Sequence, residues 1–223
     1  MGRSMKRVGD SVVLLHGTGR TPRSLRGLEK RLQKAGFQTL NLAYPWRRLD
    51  IAGLANYVAD ALDAEGIFSG CHRLHFVTHS MGGLVAACLL GRLRKRIPVE
   101  VGRVVMLGPP LRGSEVADAL SGFSPYRWFY GPAGLELTTS SDLLEGLWPD
   151  YALGVIAGTI GWPYLSGMVF IRGAHDGRVA VGRTQWQGMT DHLVLPVIHS
   201  YMPGAPVVLR QVQHFIETGS FDR

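Results

Sequence analysis

Only two cysteines occur in the 223 residues, Cys71 and Cys88. Two thiols cannot form the disulfide framework of a small secreted domain, and neither has neighbours at the spacing of a structural zinc site. The chain also lacks repeats, low-complexity tracts and Pro/Ser-rich linkers, so residues 1–223 read as a single domain. A bilayer-spanning run is missing as well. Tyr151 to Ile171 carries no charge for 21 positions, yet Gly161, Pro163, Ser166 and Gly167 interrupt it. Within that stretch, Leu153 to Ala157 is expected to be a strand buried on both faces. Arg3, Lys6 and Arg7 precede an apolar run of only four residues, Val12 to Leu15, too short for a secretory signal. The expectation is a cytoplasmic protein with no transmembrane segment.

Acidic residues are in the minority, 17 against 24 lysines and arginines, for a formal net charge of +7. The basic residues make no aromatic-interleaved stripe, which argues against nucleic acid as a partner. Arg92, Arg94, Lys95, Arg96 and Arg103 gather near the end of one helical segment, where cations complement the helix dipole. Arg20, Arg23, Arg26, Lys30, Arg31 and Lys34 are assigned to another helix. With 46% hydrophobic and 18% charged residues, the chain can bury a substantial core.

What is present is an alternation of short apolar strands with helix-period segments. Ser11–Leu15 runs into the glycine loop His16-Gly17-Thr18-Gly19, and Thr21-Pro22 opens a helix bearing Leu25, Leu28 and Leu32 on one face. Phe37–Leu42 is the next strand, followed by a helix marked by Ile51, Leu54, Val58 and Leu62. Arg73–Val77, Arg103–Leu107, Leu153–Ala157 and Leu193–Val197 complete the strands, and a last helix carries Val208, Val212, Phe215 and Ile216. This order specifies an α/β fold whose central sheet is mostly parallel and covered by helices on both faces. From Leu111 to Trp148 the pattern loosens into a short helix at Ser114–Leu120 and a run of aromatics. That insertion, 111–148, reads as a small cap or substrate-binding segment.

Thr78-His79-Ser80-Met81-Gly82-Gly83 sits at a strand-to-helix turn, where a strained serine flanked by small residues projects its hydroxyl. A serine hydroxyl is a weak nucleophile and needs an imidazole base oriented by a carboxylate. In a parallel sheet such groups must gather at the carboxyl ends of the strands, because a strand of five residues is about 17 Å long. His75 lies inside a strand, His72 and His192 precede strands, and His214 belongs to the final helix. His199 follows the last strand and is assigned as general base. Asp176, in a glycine-flanked loop after the preceding strand, is assigned as its carboxylate, with Asp142 and Asp150 as weaker alternatives. The amides of Met81 and Thr18 are placed to receive a developing oxyanion. His79 and His175 are read as neighbours of these groups and His16 as a brace for its loop.

With these residues in hand, the chain resembles the α/β-hydrolase superfamily, in particular its compact bacterial lipases and esterases. The matching pieces are Val13–Gly19, Phe76–Gly83, Val104–Gly108, Asp176–Val179 and the loop at His199, in register over about residues 11 to 218. Thr78 departs from the pattern, which usually has glycine there; small residues such as Ala86 or Ala87 facing it would absorb its bulk. The resemblance implies a six-stranded core and a carboxylic-ester hydrolase working through an acyl-enzyme, with no metal or other cofactor. It implies a small-molecule or lipid ester as substrate and allows peripheral contact with a lipid surface. Phospholipase, thioesterase and acyltransferase chemistry share this mechanism, and a binding-only member of the fold is the non-enzymatic alternative.

Overall fold

Among the described residues six strands form one sheet in the order β2-β1-β3-β4-β5-β6, and every neighbouring pair is parallel. The computed structural model describes residues 9–223, so the basic N-terminal residues Arg3, Lys6 and Arg7 lie outside the described part. The strands are β1 (Asp10–Leu15), β2 (Gln38–Leu42), β3 (Arg73–His79), β4 (Glu100–Leu107), β5 (Ala152–Gly158) and β6 (Asp191–Leu195). Among the described residues seven α-helices accompany them: α1 (Arg26–Lys34), α2 (Ile51–Ala64), α3 (Met81–Arg92), α4 (Glu115–Leu120), α5 (Ser124–Leu135), α6 (Leu165–Phe170) and α7 (Pro206–Thr218). Among the described residues no helix is long and apolar enough to cross a membrane.

Alternation along each central strand divides the interior in two. Val13, Leu15, Phe76, Val104 and Met106 pack with Leu54, Val58 of α2 and Val85, Leu89 of α3 on one face. Val12, Leu14, Val77, Val105 and Ile156 pack with Leu28, Leu32 of α1 and Val208, Val212, Phe215 of α7 on the other. Both faces are covered, which is why the strands read as continuous apolar runs instead of alternating ones. Each fully buried leucine or phenylalanine side chain contributes roughly 1.5–3 kcal/mol. The strand order changes direction between β1 and β3, so the loops leaving these two strands open a crevice at the carboxyl edge of the sheet.

Several strand ends shift by one to three residues from the sequence reading, and two differences have a local cause. The last strand begins at Asp191, not Leu193, and stops before Pro196, which has no N–H to give a ladder. Its polar first residues belong to it because β6 is an edge strand, and Asp191 accepts the Phe221 N–H at 2.9 Å. The aromatic run after Leu120 is not loop but helix α5, with non-helical backbone at Gly131 before Pro132.

Where β3 meets β4 the register slips between Leu74 and Phe76, and Gly102 and Arg103 both oppose His75. The imidazole uses that bulge: its Nδ1 accepts the Arg103 N–H at 2.8 Å, and a side chain on Gly102 would strike the ring at 2.6 Å. Burial pushes the His75 pKa down to about 4, outweighing the attraction of Asp10 3.8 Å away. A histidine that is neutral when folded and ordinary when unfolded leaves the unfolded chain with more bound protons between about pH 4 and pH 6.5. Its contribution to stability is full above that window and is lost as the pH falls through it. Urea midpoints should therefore drop between pH 7 and pH 5, and His75→Gln should flatten the slope; a midpoint unchanged over that interval would refute the assignment.

Candidate active site

β3 delivers Ser80 to the crevice. Its backbone sits at φ 54°, ψ −126°, and it is the one non-glycine residue at positive φ among those described. Such a conformation costs on the order of 1–3 kcal/mol, so neighbouring structure must impose it. The Ser80 N–H donates to Leu107 O at 2.8 Å, anchoring the turn to β4, while the Gly83 N–H donates to Ser80 O at 2.8 Å and starts α3. The close approach of helix and strand demands glycine. A Cβ on Gly82 would lie 2.5 Å from Leu15 O, and one on Gly17 would lie 2.8 Å from the Ser80 Cβ. Thr78, fully buried, directs its hydroxyl toward Gly83, where even an added Cβ would remain 3.5 Å away. Gly83 is thus the small neighbour that the threonine meets.

The loops after β5 and β6 bring the other two candidate residues. His199 Nε2 lies 3.0 Å from Ser80 Oγ, and His199 Nδ1 lies 2.7 Å from Asp176 Oδ2. Asp176 is wholly buried, and its second oxygen accepts the N–H groups of Arg178 at 3.0 Å and Val179 at 2.9 Å. Its carbonyl accepts the His199 N–H at 3.0 Å, so the acid fixes both backbone and ring of its partner. With both carboxylate oxygens occupied as acceptors, Nδ1 of His199 must carry the proton and Nε2 is left as the acceptor facing Ser80. Gly108, at φ 53°, passes close behind this pair: a Cβ there would lie 3.0 Å from both Asp176 Oδ2 and His199 Nδ1. Asp142 and Asp150 are exposed and do not border this cavity; Asp142 lines a separate, larger one of about 840 Å³.

His79 is more than a bystander. Its Nε2 donates to the His199 carbonyl at 3.0 Å, and the two rings stand 4.9 Å apart. Burial first, then the adjacent His199, hold its pKa well below the usual histidine range, so it stays neutral. His16 braces its loop: the ring stacks on Tyr44 at 4.4 Å and the Tyr44 hydroxyl donates to the His16 carbonyl. Thr18 borders the cavity and its hydroxyl points to Met81 Sδ at 3.1 Å. The Met81 N–H belongs to the first turn of α3, where amides have no acceptor within the helix.

The cavity over Ser80 has a volume of about 270 Å³. Tyr126, Phe129 and Tyr130 of α5, Val116 of α4 and Tyr164 form its apolar wall. Two of its lining residues escaped the sequence reading. Arg20 is not on the first helix, which begins only after a 3₁₀ turn at Pro22–Leu25, but in the loop after β1, held by its N–H to Gly17 O at 3.2 Å. Arg178 follows Asp176 and donates to the Tyr130 hydroxyl at 3.0 Å. No group of three or more metal-ligating side chains occurs among the described residues.

Solved structures with this fold include a lipase of Bacillus licheniformis, BlEst2 in mature form, at TM-score 0.77 and 18% identity, covering 96% of this chain and 93% of that one. The RedJ thioesterase of the Streptomyces coelicolor prodiginine pathway aligns at TM-score 0.64 and 20% identity, over 95% of this chain and 86% of that one. Phospholipase PlaB of Legionella pneumophila, in complex with thio-NAD, aligns at TM-score 0.71 and 16% identity, covering 95% of this chain but only 59% of that one. No curated protein matches the chain in sequence. The sequence profile described as "Alpha/beta hydrolase family" matches residues 12–215, and with the all-parallel six-stranded sheet this shows that the chain belongs to the alpha/beta hydrolase family.

Proposed function

We propose that this hydrolase cleaves carboxylic esters through an acyl-enzyme on Ser80. The observation that carries the reading is the chain of short contacts, Ser80 Oγ to His199 Nε2 at 3.0 Å and His199 Nδ1 to Asp176 Oδ2 at 2.7 Å, at the floor of a cavity. As Oγ attacks the carbonyl carbon, its proton passes to His199 Nε2 and the carbonyl oxygen becomes an oxyanion, received by the amides of Met81 and Thr18. Collapse breaks the ester C–O bond, and the imidazolium returns the proton to the departing alkoxide. Water then attacks the acyl-serine with His199 as base, releasing the acid and restoring Ser80. Asp176 holds the imidazole tautomer and stabilises its cation. Residues 111–148, which supply α4 and α5, act as the cap that covers the acyl group.

A substrate held at a lipid surface is the second reading, and exposed apolar side chains on the segments that bring Phe129 and Tyr164 to the cavity favour it. Trp128 (72%), Trp162 (65%), Leu165 (67%) and Val169 (73%) are all largely exposed. The segments 123–135 and 159–175 that bear them contain Arg127 and Arg172 and no carboxylate. Exposed apolar area of this kind marks an interaction surface, and the local positive charge suits anionic headgroups.

Ser80→Ala should fold normally but lose about 10⁴-fold or more of its turnover of p-nitrophenyl butyrate, and with it all labelling by a fluorophosphonate. Wild-type protein that is folded yet unlabelled would instead identify a binding-only member of the family. In Asp176→Asn the amide oxygen must take over the two backbone N–H groups, so its NH₂ faces Nδ1 and drives the imidazole proton to Nε2. A loss in kcat of about 10³–10⁴-fold with little change in KM is expected, because the wrong tautomer faces Ser80. For the surface reading, wild type should co-sediment with phosphatidylglycerol vesicles at low salt and a Leu165→Asp, Val169→Asp variant should not. Wild type remaining in the supernatant would eliminate it.

A further inference from the structure

The cavity that holds Ser80 and His199 is lined by two arginines, Arg20 and Arg178, and by no acidic residue. Arg20 enters from the loop after β1. Arg178 enters from the Asp176 turn, with its guanidinium 4.7 Å over the Tyr164 ring and hydrogen-bonded, among the described residues, only to the Tyr130 hydroxyl. Among the described residues neither has an acidic partner, whereas Arg73, Arg96, Arg183 and Arg223 all do.

Unpaired cations at this place act in both directions. They favour the oxyanion but disfavour the imidazolium that His199 becomes as Ser80 attacks. Arg20 is close enough for its charge to help hold the buried His79 neutral, and His79 is in contact with His199. A bound anion would remove the penalty, and guanidinium groups match the geometry of carboxylates and phosphates.

We propose that the substrate is an ester that itself carries an oxyanion, a carboxylate or a phosphate close to the scissile carbonyl, bound by Arg20 and Arg178 while the aromatic wall covers its apolar part. The proposal rests on the ester-hydrolase reading. The substrate's own charge, together with that of the buried Asp176, then offsets the two guanidinium groups, and the imidazolium forms in a nearly balanced field. A neutral ester of equal size leaves them uncompensated.

Two substrate pairs test this and separate the sources of the anion. Mono-4-nitrophenyl glutarate against 4-nitrophenyl butyrate places a carboxylate on the acyl side. Dihexanoyl phosphatidylglycerol against dihexanoylglycerol, both as monomers, places a phosphate on the alcohol side. In at least one pair, kcat/KM for the charged ester should exceed that for the neutral one by about tenfold or more, and the ratio should shrink as salt is added. Arg20→Met and Arg178→Met should each lower that ratio about tenfold, mainly through KM, with Arg178→Lys retaining part of it. Equal rates within both pairs in the wild type would overturn the proposal. So would a fall in charged and neutral rates alike in the arginine variants, the result expected if Arg178 only braces Tyr130 and Tyr164. Calorimetric titration with hexyl phosphate and with glutarate reads the site without turnover. Binding of either by wild type and its loss in the double methionine variant supports the anion site even if no ester is cleaved, an outcome that would sink the ester-hydrolase reading alone. Absence of binding by both ligands overturns the anion site.

Discussion

The backbone of Ser80 is the constraint on which the rest of the site depends. A serine at φ 54° persists only where its surroundings leave no alternative. Here the restraint comes from three directions: the amide tied to Leu107 on β4, Gly82 pressed against the end of β1, and Gly17 pressed against the serine itself. Each contact belongs to a different segment. The hydroxyl is therefore aimed by the packing of β1, β3, β4 and α3 together, and the sheet must be intact for it to face His199.

Asp176 governs orientation in a comparable way. One oxygen is held by two backbone N–H groups of its own turn, which frees the other to face Nδ1 of His199. On the far side the neutral His79 ties down the His199 carbonyl. The ring is thus fixed by a buried anion at one edge and a buried uncharged neighbour at its backbone. A charged His79 would add repulsion beside the imidazole that, in the proposed chemistry, accepts a proton, and burial prevents it.

Strands buried on both faces and helices with one apolar face leave periodic traces, so β1 to β5 and the long helices were legible in the residues themselves. Ser80, Asp176 and His199 could be expected to meet because each follows a strand and a parallel sheet allows only one edge for a shared site, and the structure brings the three into contact. The misses have local causes. The first residues of β6 are polar because an edge strand tolerates Asp191 and His192, which breaks the apolar signature. Arg20 was grouped with the basic face of the first helix, and only the turn closed by Gly17 O separates it from that helix and sends it over the cavity. The aromatics of α5 carry no clean helical period, since some line the cavity and others, like Trp128, point outward beneath Arg47. Tyr164 and Arg178 meet Tyr130 from distant parts of the chain, a juxtaposition that no linear pattern encodes.

The loop bearing His199 runs straight into α7, whose Val208, Val212 and Phe215 cover one side of the sheet together with α1. The imidazole consequently takes its station late in chain order, after the serine, its elbow and the carboxylate have all been made. A ribosome-held intermediate folded as far as β5 would present a hydroxyl with no base beside it. Under the chemistry proposed, such a nascent chain is inert toward the esters around it until the segment after β6 docks.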